Sequence, residues 1–73
     1  MEYYERLKQL REDRRLRQED IAKVIGTSQS YYSKQELGKK PIPLNQFITL
    51  CVFYQVSADY ILGLPKDLKW PRD

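Results

Sequence analysis

Apolar residues recur at helical spacing through most of the chain, and glycines, prolines and small polar residues divide that pattern into five segments. The first runs from Glu2 to about Arg14, with Tyr3 or Tyr4, Leu7 and Leu10 on an inward stripe. A short basic linker, Arg14-Arg15-Leu16-Arg17, follows, anchored to the core by Leu16. A second helix, about Gln18 to Ile25, places Ile21, Ala22 and Ile25 on one face. Gly26 stops it, because a residue without Cβ takes up left-handed backbone freely. Ser28 can cap a third helix, about Gln29 to Glu36, and Gly38 offers a matching stop. Pro41 and Pro43 forbid a continued helix. The next helix, Leu44 to Tyr54, is the most apolar segment. Phe47, Ile48 and Cys51 repeat there at core spacing with Leu44 and Leu50 adjacent, so all five are expected in the core. Ser57 caps a last helix, with Asp59 in its first turn favoured by the helix dipole, and Gly63 ends it. The chain reads as all-α.

The third helix departs from the others. Gln29, Ser30, Ser33 and Lys34 form a polar, hydrogen-bonding face, while Tyr32 falls on the opposite side and packs inward. The stretch Gln18–Gly38 resembles the helix-turn-helix of the phage repressor and Cro-type family of DNA-binding proteins. The residues that carry the resemblance are Gln18, Ala22, Gly26, Ser28, Tyr32, Glu36 and Gly38, with Val56-Ser57 and Asp59-Tyr60-Ile61-Leu62-Gly63 downstream. It runs without a gap from about Leu7 to Gly63. Three positions depart from the pattern. Thr27 stands where an aliphatic residue is usual, Arg17 where a Ser or Thr cap is usual, and Gln35 where an aromatic or aliphatic residue is usual. The resemblance implies a compact five-helix repressor-like DNA-binding domain over residues 1–64, with the helix-turn-helix at helices 2 and 3 and a short C-terminal tail over 65–73. It also pairs Arg11 with Glu36 as a partly buried ion pair between helix 1 and the end of helix 3, the alternative being a solvated Arg11.

Composition narrows the options. At 73 residues the chain is one small domain, and a core of this size rarely supplies more than roughly 3–5 kcal/mol without help. One cysteine excludes an internal disulfide, and with no histidine a Cys/His zinc site cannot be built. Cys51, in an apolar run, reads as a small buried thiol. Oligomerisation is the remaining staple, which favours a homodimer. Neither a signal peptide nor a transmembrane stretch is visible, so a cytoplasmic location is expected. The net charge of +3 is mild, but it is unevenly placed. Between Thr27 and Lys40 stand Lys34, Lys39 and Lys40 against one acid, Glu36, while elsewhere the two signs nearly cancel. That surplus sits on the helix with the polar face and on the loop after it.

The major groove admits an α-helix and shows a distinct donor and acceptor pattern for each base pair. Gln29 is placed to bond adenine N6 and N7, Ser30 and Ser33 to meet base edges or thymine methyls, and Lys34 to reach either a guanine or a phosphate. Tyr31, at the edge of that face, either meets a phosphate through its hydroxyl or is a half-buried surface aromatic. Phosphate contacts fall to Gln18 and Ser28 at helix starts and to Lys39 and Lys40 beyond Gly38. In the resembling family the glutamine at the Gln18 position bonds both a phosphate and the first residue of the recognition helix, here Gln29. Ile61, Leu62 and Leu64 exceed what so short a helix buries, and the resemblance makes that region the dimer contact. Trp70 either folds back on the body, joins the dimer contact or lies in a free tail. The expected partner is double-stranded DNA, with no cofactor, metal or membrane. A protein-interaction module on the same fold, such as an antitoxin or antirepressor partner, is the alternative. An enzyme is poorly supported, since no histidine, phosphate-cradling glycine loop or carboxylate pair suited to acid–base work is present.

Overall fold

The computed structural model describes residues 1–69 and Pro71. Trp70 lies outside the described residues. Among them are five helices and no strand: α1 (Tyr3–Asp13), α2 (Gln18–Ile25), α3 (Gln29–Glu36), α4 (Leu44–Tyr54) and α5 (Ala58–Leu62).

Local chemistry explains where the helices begin. Glu5 reaches back from α1 to accept the Glu2 N–H at 2.9 Å. Arg17 at the start of α2 has no side-chain acceptor, and Asp20 takes over by accepting the Arg17 N–H at 2.8 Å. Ser28 Oγ accepts the Tyr31 N–H at 3.2 Å, and Ser57 Oγ accepts the Tyr60 N–H at 3.3 Å.

All five helices end alike. A left-handed residue (Arg15, Gly26, Gly38, Gln55 or Gly63) reverses the backbone. The N–H of the next residue then bonds a carbonyl five positions back: Leu16 to Arg11, Thr27 to Ala22, Lys39 to Lys34, Val56 to Cys51 and Leu64 to Asp59, at 2.9–3.1 Å. This ending satisfies carbonyls that a terminating helix would leave open. Gly38 has a second reason to be glycine, since a Cβ there would stand 2.5 Å from the Tyr4 ring.

With each helix so bounded, α2 packs on α3 and α4, while α1 packs on α3 and α5. The core gathers Leu7, Ile21, Ala22, Tyr32, Phe47, Leu50, Tyr54 and Ile61, at least one from every helix. Helix α4 corrects one expectation. Its inward row is Phe47, Leu50 and Tyr54, with Cys51 half-buried, whereas Leu44 is 72 % and Ile48 53 % exposed. An apolar run carries no phase of its own, so contact with α2 decides which side turns in. Ile61 corrects another. It is fully buried in this chain's own core, so only Leu62 and Leu64 of the expected dimer residues reach the surface.

Two tyrosines sit deep. Burial pushes the Tyr54 phenol up to about 12 from 10.0, and burial followed by the neighbouring Glu36 carboxylate pushes Tyr32 higher still. Arg14 closes over Tyr54, donating to its carbonyl at 2.6 Å and lying 5.3 Å from the ring centroid.

Two outcomes are expected. Gly26→Ala, where open space surrounds the missing Cβ, should destabilise by roughly 1–2 kcal/mol from backbone strain. Gly38→Ala should cost more, and a Tyr4→Ala background should bring the two penalties together in urea titrations. Because Tyr54 ionises above its ordinary value only in the folded state, the stability it contributes is complete below pH 10.0 and is lost as pH rises towards about 12. In Tyr54→Phe the alkaline unfolding midpoint, followed by circular dichroism and phenolate absorbance, should therefore move upward.

Candidate nucleic-acid interface

The phase of α3 is set by what it buries. Tyr32, Gln35 and Glu36 turn inward, which leaves Gln29, Ser30 and Lys34 exposed and Ser33 half-exposed on the outer side. Tyr31 sits at the margin of that face, 39 % exposed. The turn Gly26-Thr27-Ser28 fixes the face relative to α2. Gly26 has φ +72°, the Thr27 N–H returns to Ala22 O at 2.9 Å, and Ser28 caps α3. Each residue of the turn has a backbone task, so α3 has little freedom to tilt.

Electrostatics follow from one contact. Glu36, the sole acid between Thr27 and Lys40, has a side chain only 1 % exposed. Arg11 holds it in a two-pronged fork, Nη2 to Oε1 at 2.7 Å and Nε to Oε2 at 3.0 Å, and spends its third donor on Leu16 O at 2.8 Å. The hydrogen bond to Glu36 is the main reason the Arg11 guanidinium is held above its ordinary value. The carboxylate is neutralised from inside, and Lys34, Lys39 and Lys40 are all exposed with no acid among their neighbours in sequence on the outer face.

The other expected phosphate contacts stand at helix starts. Gln18 is half-exposed at the first position of α2, beside Glu19 and Asp20, both of which Arg17 approaches at 3.1 and 4.0 Å. Ser28 Oγ caps α3 and also lies 3.4 Å from Ser30 Oγ, where either hydroxyl can donate to the other. No hydrogen bond joins Gln18 to Gln29 among the described residues. Arg14, in the linker, is committed to Tyr54.

A pair of glutamines was not singled out by sequence reasoning beyond the unusual residue at Gln35. Gln35, wholly buried, and Gln46 of α4 bond each other at 2.9 Å. Their partners are backbone carbonyls in other segments, which spacing does not reveal. Among the described residues no group of three or more His, Cys, Asp or Glu could hold a metal ion, and no helix is long and apolar enough to cross a membrane.

Residues 4–61 match the model of a family described as a helix-turn-helix domain. The chain is 43 % identical over 65 residues to a protein of Bacillus subtilis (strain 168) named uncharacterized HTH-type transcriptional regulator YobD. The alignment covers 89 % of this chain and 58 % of that relative, so the chain spans little more than half of the relative's length. No solved structure matches.

Arg11→Met leaves the Glu36 carboxylate buried without its partner and should destabilise the fold by roughly 3–5 kcal/mol in urea titrations. Adding Glu36→Leu should recover most of that loss, because the uncompensated charge disappears with it.

Proposed function

The chain belongs to the helix-turn-helix domain family, and from that premise we propose that it is a sequence-specific DNA-binding transcriptional regulator. It reads the major groove with α3, acts as a homodimer and represses by occupying its operator. The observation that carries this reading is the outer side of α3 and the loop after it, where hydrogen-bonding side chains and three exposed lysines share a surface, while the one acid of the stretch, Glu36, lies on the buried side of α3 paired with Arg11. The name of the Bacillus subtilis relative, a transcriptional regulator, supports regulation as the outcome of binding.

In this reading Gln29, near the N-terminus of α3, bonds an adenine edge, and Ser30, Ser33 and Lys34 complete the base contacts. Gln18, Ser28, Tyr31, Lys39 and Lys40 hold phosphates, setting register without reading sequence. Leu62 and Leu64, exposed beside the buried Ile61, supply the contact between two copies. A two-fold dimer presents its two α3 helices to half-sites about one DNA turn, roughly 34–36 Å, apart. Exposed apolar residues on α5 fit that arrangement and are otherwise unexplained by the fold of one chain.

Selection from random duplex DNA at near-physiological salt tests the whole proposal. A two-fold symmetric motif is expected, and failure to enrich any sequence would sink it. On the selected site, Gln29→Ala should lose roughly 1–3 kcal/mol while binding to scrambled DNA stays nearly intact. Lys40→Ala should weaken binding to every duplex alike and flatten its salt dependence by about one ion. An equal loss on all DNA for Gln29→Ala would remove it from base reading.

A further inference from the structure

Gln35 is 0 % exposed on the inward side of α3. Its Nε2 donates to Pro41 O at 3.0 Å and to Gln46 Oε1 at 2.9 Å. Gln46 Nε2 donates in turn to Ile25 O at 3.5 Å. The polarity of this relay has one solution. A backbone carbonyl only accepts, so Gln35 must turn its NH2 group to Pro41 and Gln46 must offer its oxygen to Gln35. Two side-chain amides thereby join four segments: the last turn of α3, the loop at Pro41, the first turn of α4, and the end of α2 immediately before the turn into α3.

The loop is tied at its other end as well. The N–H groups of Lys39 and Lys40 both bond Lys34 O, at 2.9 and 3.3 Å. The stretch bearing Lys39 and Lys40 is therefore held at its start by the backbone of Lys34 and at Pro41 by the side chain of the very next residue, Gln35. Stability alone does not account for an amide here. Gln35 Oε1 is buried with no partner among the described residues, a penalty that an apolar side chain of the same volume would avoid. What the amide provides and an apolar side chain does not is direction, since it fixes the distance and angle between α3 and the loop.

We infer that Gln35 and Gln46 are positioning residues for DNA recognition, holding the lysine-bearing loop in register with the base-reading face of α3 through their shared amide relay. This rests on the reading of α3 as the DNA-contacting helix. In the relay the phosphate contacts of Lys39 and Lys40 and the base contacts of Gln29 to Lys34 are made by one rigid body. When it is broken, the loop can still grip phosphates, but it no longer forces α3 into one register over the bases.

The test compares wild type with Gln35→Met, Gln46→Met and the double variant, each near in volume and lacking the amide. Measurements are made at a temperature where circular dichroism finds every variant fully folded, so that lost stability does not enter. One readout is 15N relaxation of the Lys39 and Lys40 amides without DNA. The other is the ratio of dissociation constants for scrambled and selected duplexes. Each single variant should show faster loop motion and a selectivity ratio reduced about fivefold or more, equivalent to part of one good base contact. The double variant should lose less than the sum of the two singles, because both break the shared Gln35–Gln46 bond on which the relay depends. Unchanged loop motion, an unchanged ratio or additive losses would overturn the inference. A wild-type protein that does not discriminate between the duplexes would instead sink the DNA-binding reading and the inference with it, and that failure is visible before any variant is made.

Discussion

The Arg11–Glu36 contact is the interaction on which the rest of this structure depends. A carboxylate with a side chain 1 % exposed beside the buried ring of Tyr32 calls for a partner of matching geometry. Arg11 supplies that geometry with two parallel hydrogen bonds and fastens itself to Leu16 O with a third. Such pairs contribute little net stability against an apolar alternative. Their effect here is positional and electrostatic together. The pair locks α1 to the end of α3, and it compensates the one acid of that stretch on the buried side of α3, opposite the exposed Lys34. Packing and charge balance at that contact are settled by the same two side chains.

Backbone closure completes what the ion pair begins. Every helix is terminated by a left-handed residue and a hydrogen bond five positions back, so no chain reversal is left to loop flexibility. Glycine fills three of these positions, and Arg15 and Gln55 fill the other two at φ +56° and +58°. At Gly26 the requirement is conformational only. At Gly38 it is also steric, because the Tyr4 ring covers the backbone. Around α3 the constraints converge: Ser28 and Gly26 before it, Gly38 after it, Arg11 from α1 and Gln46 from α4 all meet a helix only eight residues long. A helix this short has little stability of its own, so its orientation is imposed from outside.

Much of this was legible in the sequence, and the rest was hidden for definite reasons. Helix limits could be read because Gly26, Ser28, Ser57 and Gly63 each combine a residue type with a task only that type performs well. The outer face of α3 could be read from Tyr32 as the inward residue and from the helix-turn-helix resemblance, although the other two inward residues, Gln35 and Glu36, are polar. In α4 no such guide exists. Leu44, Ile48 and Val52 form one apolar row, and Phe47, Leu50 and Tyr54 another, and nothing local distinguishes the row that turns inward. Ile61 was misplaced for the same reason, as one member of an apolar cluster of which the core takes only part. Gln35 and Gln46 were hidden differently. Their acceptors include the carbonyls of Pro41 and Ile25, and carbonyls are present at every residue, so sequence gives no sign of which will be used.

The last turn of α1 and its C-cap hold two long-range ties side by side. Arg11 reaches 25 residues ahead to Glu36, and Arg14 reaches 40 ahead to the carbonyl of Tyr54. Bringing distant parts of a chain together has an entropic cost that rises with the logarithm of the enclosed length. Two closures that share one anchor are not independent, because the first shortens the path the second must still enclose. Most of the remaining contacts are local in sequence, the arrangement associated with folding in microseconds to milliseconds. The end of α1 therefore acts as a seam: once it docks, the α2–α3 half and the α4–α5 half of the chain are drawn into the same event.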